Sequence, residues 1–236
     1  MEPITTISFF RYSSFWSKVW AFSMMQFAHP SLGKVKGLRF YKLMGSGKAG
    51  FNPWPDWSVY ALVQVWDSPG DAEAFFNGDP LMKKYRGKVA ENMTLYLKTL
   101  KVKGEWSGQN PFPKNQDLDP ENKYMAVITR ATIKTKFLYR FWKYVPQSQK
   151  SLMENEGLLY TKGIGEVPFR NMATFSIWKD RESLQAFAYN ATGHKKAIAF
   201  THTLKWYKEE LFARFQPYKV EGSWSGIPPM ELHAQA

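Results

Sequence analysis

Lys101-Val102-Lys103-Gly104-Glu105-Trp106-Ser107-Gly108 returns near the other end of the chain as Lys219-Val220-Glu221-Gly222-Ser223-Trp224-Ser225-Gly226, with six identities in eight positions. Two octets this alike point to an internal duplication, and reading upstream from each strengthens that view. Val63-Gln64-Val65-Trp66 aligns with Phe175-Ser176-Ile177-Trp178. At the same offset Ala74-Phe75 and Lys83-Lys84 align with Ala186-Phe187 and Lys195-Lys196. The copies differ mainly by insertions.

Each copy opens on an alternating strand, Ile7 to Tyr12 and Met125 to Ile133. An aromatic helical stretch follows, Phe15 to Ala28 in the first copy, with Ser13 or Ser14 as its cap, and Phe137 to Tyr144 onward in the second. Two further strand-like runs come next, Leu38 to Leu43 with Ser58 to Trp66, and Leu158 to Lys162 with Met172 to Trp178. Helical regions are expected over Asp71 to Leu97 and Ser183 to Phe215, before a closing strand that ends in Trp-Ser-Gly. The order is βαββαβ, twice.

One such unit makes a four-stranded antiparallel sheet with helices on one face, and the bare face needs cover. The second copy can supply it. The expected fold is therefore α+β, two tandem ferredoxin-like repeats forming within one chain the α+β barrel that other proteins build by dimerisation. Its interior is expected to be an apolar space suited to a ligand. Residues 109–122 are rich in Pro, Asn and Asp and read as the linker, which divides the chain into 1–118 and 119–236.

Composition narrows the function. With 44% hydrophobic residues in 236, the chain has ample material for a core. The absence of cysteine excludes disulfides, thiolate metal sites and a thiolate-ligated haem. The net charge of +12 suits nucleic acid, an anionic membrane or an acidic partner, but the Lys and Arg residues are scattered and cluster only in pairs, as a solvated surface would have them. The N-terminus reads as a strand rather than a signal peptide, so a cytoplasmic location is expected. Phe15 to Ala28 is too short to cross a bilayer, contains Lys18 and Gln26, and reads as a buried or membrane-surface helix.

No phosphate-binding loop or serine-nucleophile motif is present, and the duplicated Trp-Ser-Gly argues for structure over chemistry. Phe9-Phe10-Arg11 has the look of an RNA-stacking strand, but two sheets packed face to face would bury it. Of the four histidines, His194 is the most informative, because the repeat alignment sets Met82 opposite it. His202, about 80° further round the same expected helix, is the second choice. His29 and His233 read as structural, and no spacing matches a zinc or non-haem iron site.

Trp20-Ala21-Phe22-Ser23-Met24-Met25, Lys42-Leu43-Met44-Gly45-Ser46-Gly47, Gly163-Ile164-Gly165-Glu166-Val167-Pro168, Thr174-Phe175-Ser176-Ile177-Trp178 and Glu209-Glu210-Leu211-Phe212-Ala213-Arg214-Phe215 together resemble the spheroidene monooxygenase (acyclic carotenoid 2-ketolase) family over nearly the whole chain. The resemblance implies a haem b oxygenase that inserts oxygen at C2 of a carotenoid end group, the ketone arising from two successive hydroxylations. It also implies a carotenoid-like apolar substrate, an electron donor such as ferredoxin, and no nucleic-acid partner. The wider group of haem proteins with paired ferredoxin-like units carries its iron ligand on a helix of the C-terminal unit, a placement that His194 matches.

Donors to steady bound oxygen are then expected on inward-facing strand positions of the second sheet, with Arg130, Arg170, Thr174 and Ser176 as candidates. Each also has a plain structural role open to it, as a salt bridge, a propionate contact or an ordinary strand residue. The apolar helix from Phe15 to Ala28 could guide a long polyene in from a membrane, or could be buried in a homo-oligomer interface. Two other functions compete with the monooxygenase: a haem protein running peroxidase-like or aldoxime dehydratase-like chemistry, and a non-enzymatic module for a hydrophobic ligand or RNA.

Overall fold

The computed structural model describes residues 2–143, 152, 155–190, 206–228, 230 and 232. Eight antiparallel strands close into one barrel in the order β1-β3-β2-β6-β7-β5-β8-β4. The first copy supplies β1 (Ile4–Arg11), β2 (Leu38–Lys48), β3 (Asn52–Trp66) and β4 (Glu91–Gly104). The second supplies β5 (Met125–Ile133), β6 (Leu158–Val167), β7 (Asn171–Trp178) and β8 (Tyr207–Gly222). Each copy is a four-stranded ferredoxin-like sheet, so the expected tandem architecture is the one that forms.

The two seams between the copies differ. Strands β4 and β8 pair almost end to end, from Met93↔Gly222 to Gly104↔Leu211. Strands β2 and β6 meet only at Gly45↔Gly165 and Ser46↔Ile164. One seam is zipped and the other splays.

Helix α1 (Phe15–Phe27) is capped by Ser14, whose hydroxyl accepts the Ser17 N–H. The short α2 (His29–Leu32) follows, and α3 (Pro69–Gly78) and α4 (Pro80–Arg86) start on the caps Ser68 and Asp79. Helix α5 (Arg181–Asn190) belongs to the second copy, as do helical residues 138–143.

Two sequence expectations change here. Residues 91–97 and 207–215 are strand, not helix. The apolar spacing Leu211, Phe215 is near one helical turn but is also an even number, so it fits one face of a strand equally well. The barrel interior, expected to be an open ligand space, is filled. Phe9, Val63, Leu95, Ile128, Phe175 and Phe215 meet there as a continuous buried core, as an eight-stranded barrel is just wide enough for side chains to close. The linker contributes as well, since Phe112 is buried in that core beside Phe215 at 5.1 Å between ring centroids.

The duplicated Trp-Ser-Gly explains itself in this frame. Gly104 and Gly222 adopt positive φ, and a Cβ on either would lie 2.1 Å and 2.3 Å from the carbonyl oxygens of Glu210 and Asn92. The turn they allow drops Trp106 and Trp224 into the core. Each loop is then clasped by a glutamate of the other copy: Glu209 accepts the Gly108 N–H at 2.7 Å, and Glu91 accepts from the Ser225 hydroxyl at 2.6 Å.

Candidate functional site

Strand alternation gives each sheet an inner face in the barrel and an outer face toward its helices. In the first copy the outer face carries Leu43, Tyr60, Leu62, Gln64, Phe10 and Tyr96, all buried. With Phe75, Phe76, Met82 and Tyr85 from α3 and α4 they form a large apolar cluster.

The strand registers identify the equivalent positions in the second copy. Leu43↔Leu62↔Ser8↔Thr94 runs across the first sheet, and Gly163↔Thr174↔Thr129↔Phe212 across the second. The row beside it replaces Tyr41↔Gln64↔Thr6↔Tyr96 with Thr161↔Ser176↔Val127↔Arg214. Leu becomes Gly, Leu becomes Thr, Tyr becomes Thr and Gln becomes Ser. Ser8 is fully buried, whereas Thr129 at the same place in the second sheet is exposed. The outer face of the second copy thus carries small and hydroxylic side chains on β6 and β7, beside the larger Val127, Phe212 and Arg214 of β5 and β8, where the β2 and β3 positions of the first copy carry large ones.

One edge of this face carries a cation. The Nε of Arg214 is buried with no hydrogen-bond partner among the described residues, and its guanidinium lies 5.2 Å from the Phe212 ring centroid. A buried donor without an acceptor is costly.

The sequence candidates separate. Thr174 and Ser176 lie together on the outer face, not facing inward; Ala173, Phe175 and Ile177 take the inward positions of β7. Both faces of this sheet adjoin other structure, so polarity alone did not distinguish them. Ser176 Oγ accepts the Trp178 indole N–H at 2.9 Å. Arg130 does face inward, but it closes one mouth of the barrel, paired with Glu209 and with Glu166 at 3.4 Å. Glu166 also accepts the Trp106 indole N–H at 3.2 Å and pairs with Lys42 at 2.8 Å. Burial works against ionisation of Glu209, but the N–H groups of Gly108 and Ser107 and the Arg130 charge outweigh it and hold its carboxyl below the usual range. Arg170 is exposed in the β6–β7 turn rather than on a strand.

His194 and His202 lie outside the described residues. Met82, aligned with His194, packs in the first copy's outer cluster. His29 stands 3.0 Å from the Tyr41 hydroxyl at an exposed helix end. Among the described residues no three His, Cys, Asp or Glu side chains converge on one point. Phe9 and Phe10 are buried, which removes the RNA-stacking face.

Sequence reasoning missed a groove at the splayed seam. Phe22 and Met25 of α1, Trp57 of β3, and Gly165, Phe169 and Met172 of the second copy line a cavity of about 190 Å³. Its apolar wall includes Met172, which lies two residues from Thr174 on the same face of β7. Its two acidic groups are spoken for: Glu166 pairs with Lys42 and Arg130, and although burial opposes it, the Lys162 ammonium at 2.8 Å and Ser58 hold the Asp56 carboxyl below its usual range. The missed signal was the pairing of Gly45 with Gly165, legible only once the seam is known.

A closed barrel of paired ferredoxin-like units defines a class of single-chain α+β barrels, and aldoxime dehydratase in complex with butyraldoxime has the same fold. That similarity has a TM-score of 0.64 at 8% identity and covers 93% of this chain and 82% of that one. No protein-family model matches the chain. It is 37% identical over 230 residues to the spheroidene monooxygenase of Rhodobacter capsulatus, covering 97% of this chain and 95% of the relative. It is 33% identical over 229 residues to that of Cereibacter sphaeroides, covering 95% and 70%. The chain belongs to the spheroidene monooxygenase family, and is accordingly an oxidoreductase.

Proposed function

We propose that this enzyme is a haem-dependent carotenoid monooxygenase that oxygenates C2 of an acyclic end group, with the haem on the outer face of the second sheet. The observation that carries the reading is the difference between the two outer faces: Gly163, Thr174, Ser176 and Thr161 are smaller than the Leu43, Leu62, Gln64 and Tyr41 that hold the same register in the first copy. A flat macrocycle needs small side chains beneath it. Its propionates need a cation, and Arg214 offers an unmatched buried N–H. His194 would hold the iron through a neutral imidazole.

When bound, haem would supply activation of dioxygen at the expense of an external reductant. The chain's own residues do the rest. Thr174 and Thr129 offer hydroxyls at the centre of this face, able to donate hydrogen bonds to an oxygen-bearing ligand. Met172, Phe169 and Phe22 keep the approach apolar, which favours a polyene over water. Two hydroxylations of one methylene give a geminal diol, which loses water to become the ketone. An acidic one-electron carrier such as a ferredoxin would suit a protein of net charge +12.

The test is reconstitution of the purified protein with haem, followed by turnover of an acyclic carotenoid with oxygen and a reductant. A Soret band and an oxygen-dependent mass gain are expected. His194→Ala should lose the iron while His202→Ala keeps it. No Soret band in the reconstituted wild type, or full iron content in His194→Ala, would refute the respective assignments.

A further inference from the structure

Helix α1 is apolar on both sides. Trp20, Met24 and Met25 pack, partly buried, against the first copy's outer cluster, while Phe15, Trp16, Val19, Phe22 and Phe27 are exposed, Phe15 to 70% and Trp16 to 76%. A soluble surface helix normally keeps its exposed side polar. Further large apolar side chains are exposed on two neighbouring turns, Trp54 and Trp57 at the start of β3 and Val167 at the end of β6. Ring contacts tie them to one another: Phe22 to Trp57 at 5.0 Å and Trp54 to Phe169 at 6.0 Å. Scattered exposed apolar residues are unremarkable, but a contiguous aromatic patch marks an interaction surface.

Its charge indicates the partner. The acidic groups of this region are neutralised within the protein, Asp56 by Lys162 and Glu166 by Lys42 and Arg130. Helix α1 contains no acidic residue. Lys18, Lys48 and Arg170, beside the aromatic side chains in the chain, have no carboxylate partner among the described residues. Aromatic side chains ringed by unpaired cations match the interfacial zone of a bilayer that carries anionic headgroups. No helix of the described residues is long and apolar enough to cross a membrane, so contact through this patch would be with its surface.

We infer that the face formed by α1, the β2–β3 turn and the β6–β7 turn docks on an anionic lipid bilayer, and that the seam groove between Phe22, Trp57 and Phe169 opens into it. The surface itself is independent of the cofactor. Only its purpose, delivery of an apolar substrate to the groove, rests on the function proposed above.

Cosedimentation of the full chain with vesicles, without substrate or haem, tests the docking. Vesicles of equal parts phosphatidylcholine and phosphatidylglycerol should bind the wild type, phosphatidylcholine alone more weakly, and added salt should weaken the binding. The double variant Phe15→Ser/Trp16→Ser, whose side chains are exposed and away from the groove, should bind at least about tenfold more weakly with an unchanged melting temperature. Lys18→Glu/Lys48→Glu should lose most of the preference for phosphatidylglycerol. Undiminished binding in the aromatic variant would overturn the inference. So would a wild type that ignores vesicles but dimerises in solution through Trp16, as light scattering on both proteins would reveal. Failure of haem binding would leave the vesicle result standing, so the two readings fail separately.

Discussion

The outer faces of the two sheets have the same strand order and the same register, yet one is packed with Leu43, Tyr60, Leu62 and Phe10 and the other floored with Gly163, Met172, Thr174 and Ala131. The inner faces do not diverge in this way; both contribute large apolar side chains to one core. Nor does the end row of the outer faces, where Trp66 and Trp178 are both buried and both donate an indole hydrogen bond at 2.9 Å, to Thr6 and to Ser176. On β6 and β7 the change falls in the middle of one outer face.

The largest effect should come from a residue that looks catalytic in sequence but closes the barrel. Arg130 occupies the register of Phe9 in the first copy and faces Glu166 and Glu209. Arg130→Ala should cost about 3–5 kcal/mol in denaturant unfolding, because it removes a buried guanidinium that two partly exposed carboxylates share and leaves a void at the barrel mouth. A loss under about 1 kcal/mol would detach Arg130 from the frame.

The comparison itself is sharpened by a matched pair. Leu62→Ala, in the packed face, should cost about 2–5 kcal/mol. Thr174→Ala, at the same register of the second outer face, should change stability by less than about 0.5 kcal/mol. Equal costs would mean that the two faces are packed alike.

The smallest effect concerns the loop clasp. Glu209 has a lowered carboxyl pKa in the folded protein, so its stabilisation is present above the unfolded value of about 4.3 and is lost as pH falls through the folded one. Glu209→Gln should therefore flatten the acid side of the stability–pH curve, by less than about 1 kcal/mol for a partly exposed pair. An unchanged acid limb would place the titrating clasp elsewhere.

Much of the architecture was legible in the sequence because duplication supplies an internal control: any reading of one copy had to hold in the other. Strand β7 could be read from Thr174 to Trp178, but not which parity faced the barrel, since Trp178 on one parity and Phe175 on the other are both buried. The strands from Glu91 and Tyr207 were hidden because even spacings satisfy a helix and a strand alike. Phe112 in the linker gave no sign that it would fill the barrel, because a lone aromatic in a Pro- and Asn-rich segment carries no period. The run of small and hydroxylic side chains was invisible until hydrogen-bond register set Gly163 beside Thr174 and Thr129. Arg214 could not be singled out among 32 basic residues before its neighbours were known.

Refilling the second outer face with the first copy's own residues tests the central claim most directly. Haem titration of Gly163→Leu/Thr174→Leu, followed by the Soret band, should show at least about a tenfold loss of affinity relative to wild type while the protein melts as before. A Soret band of wild-type strength and affinity in that folded variant would contradict the placement of the cofactor on the second sheet.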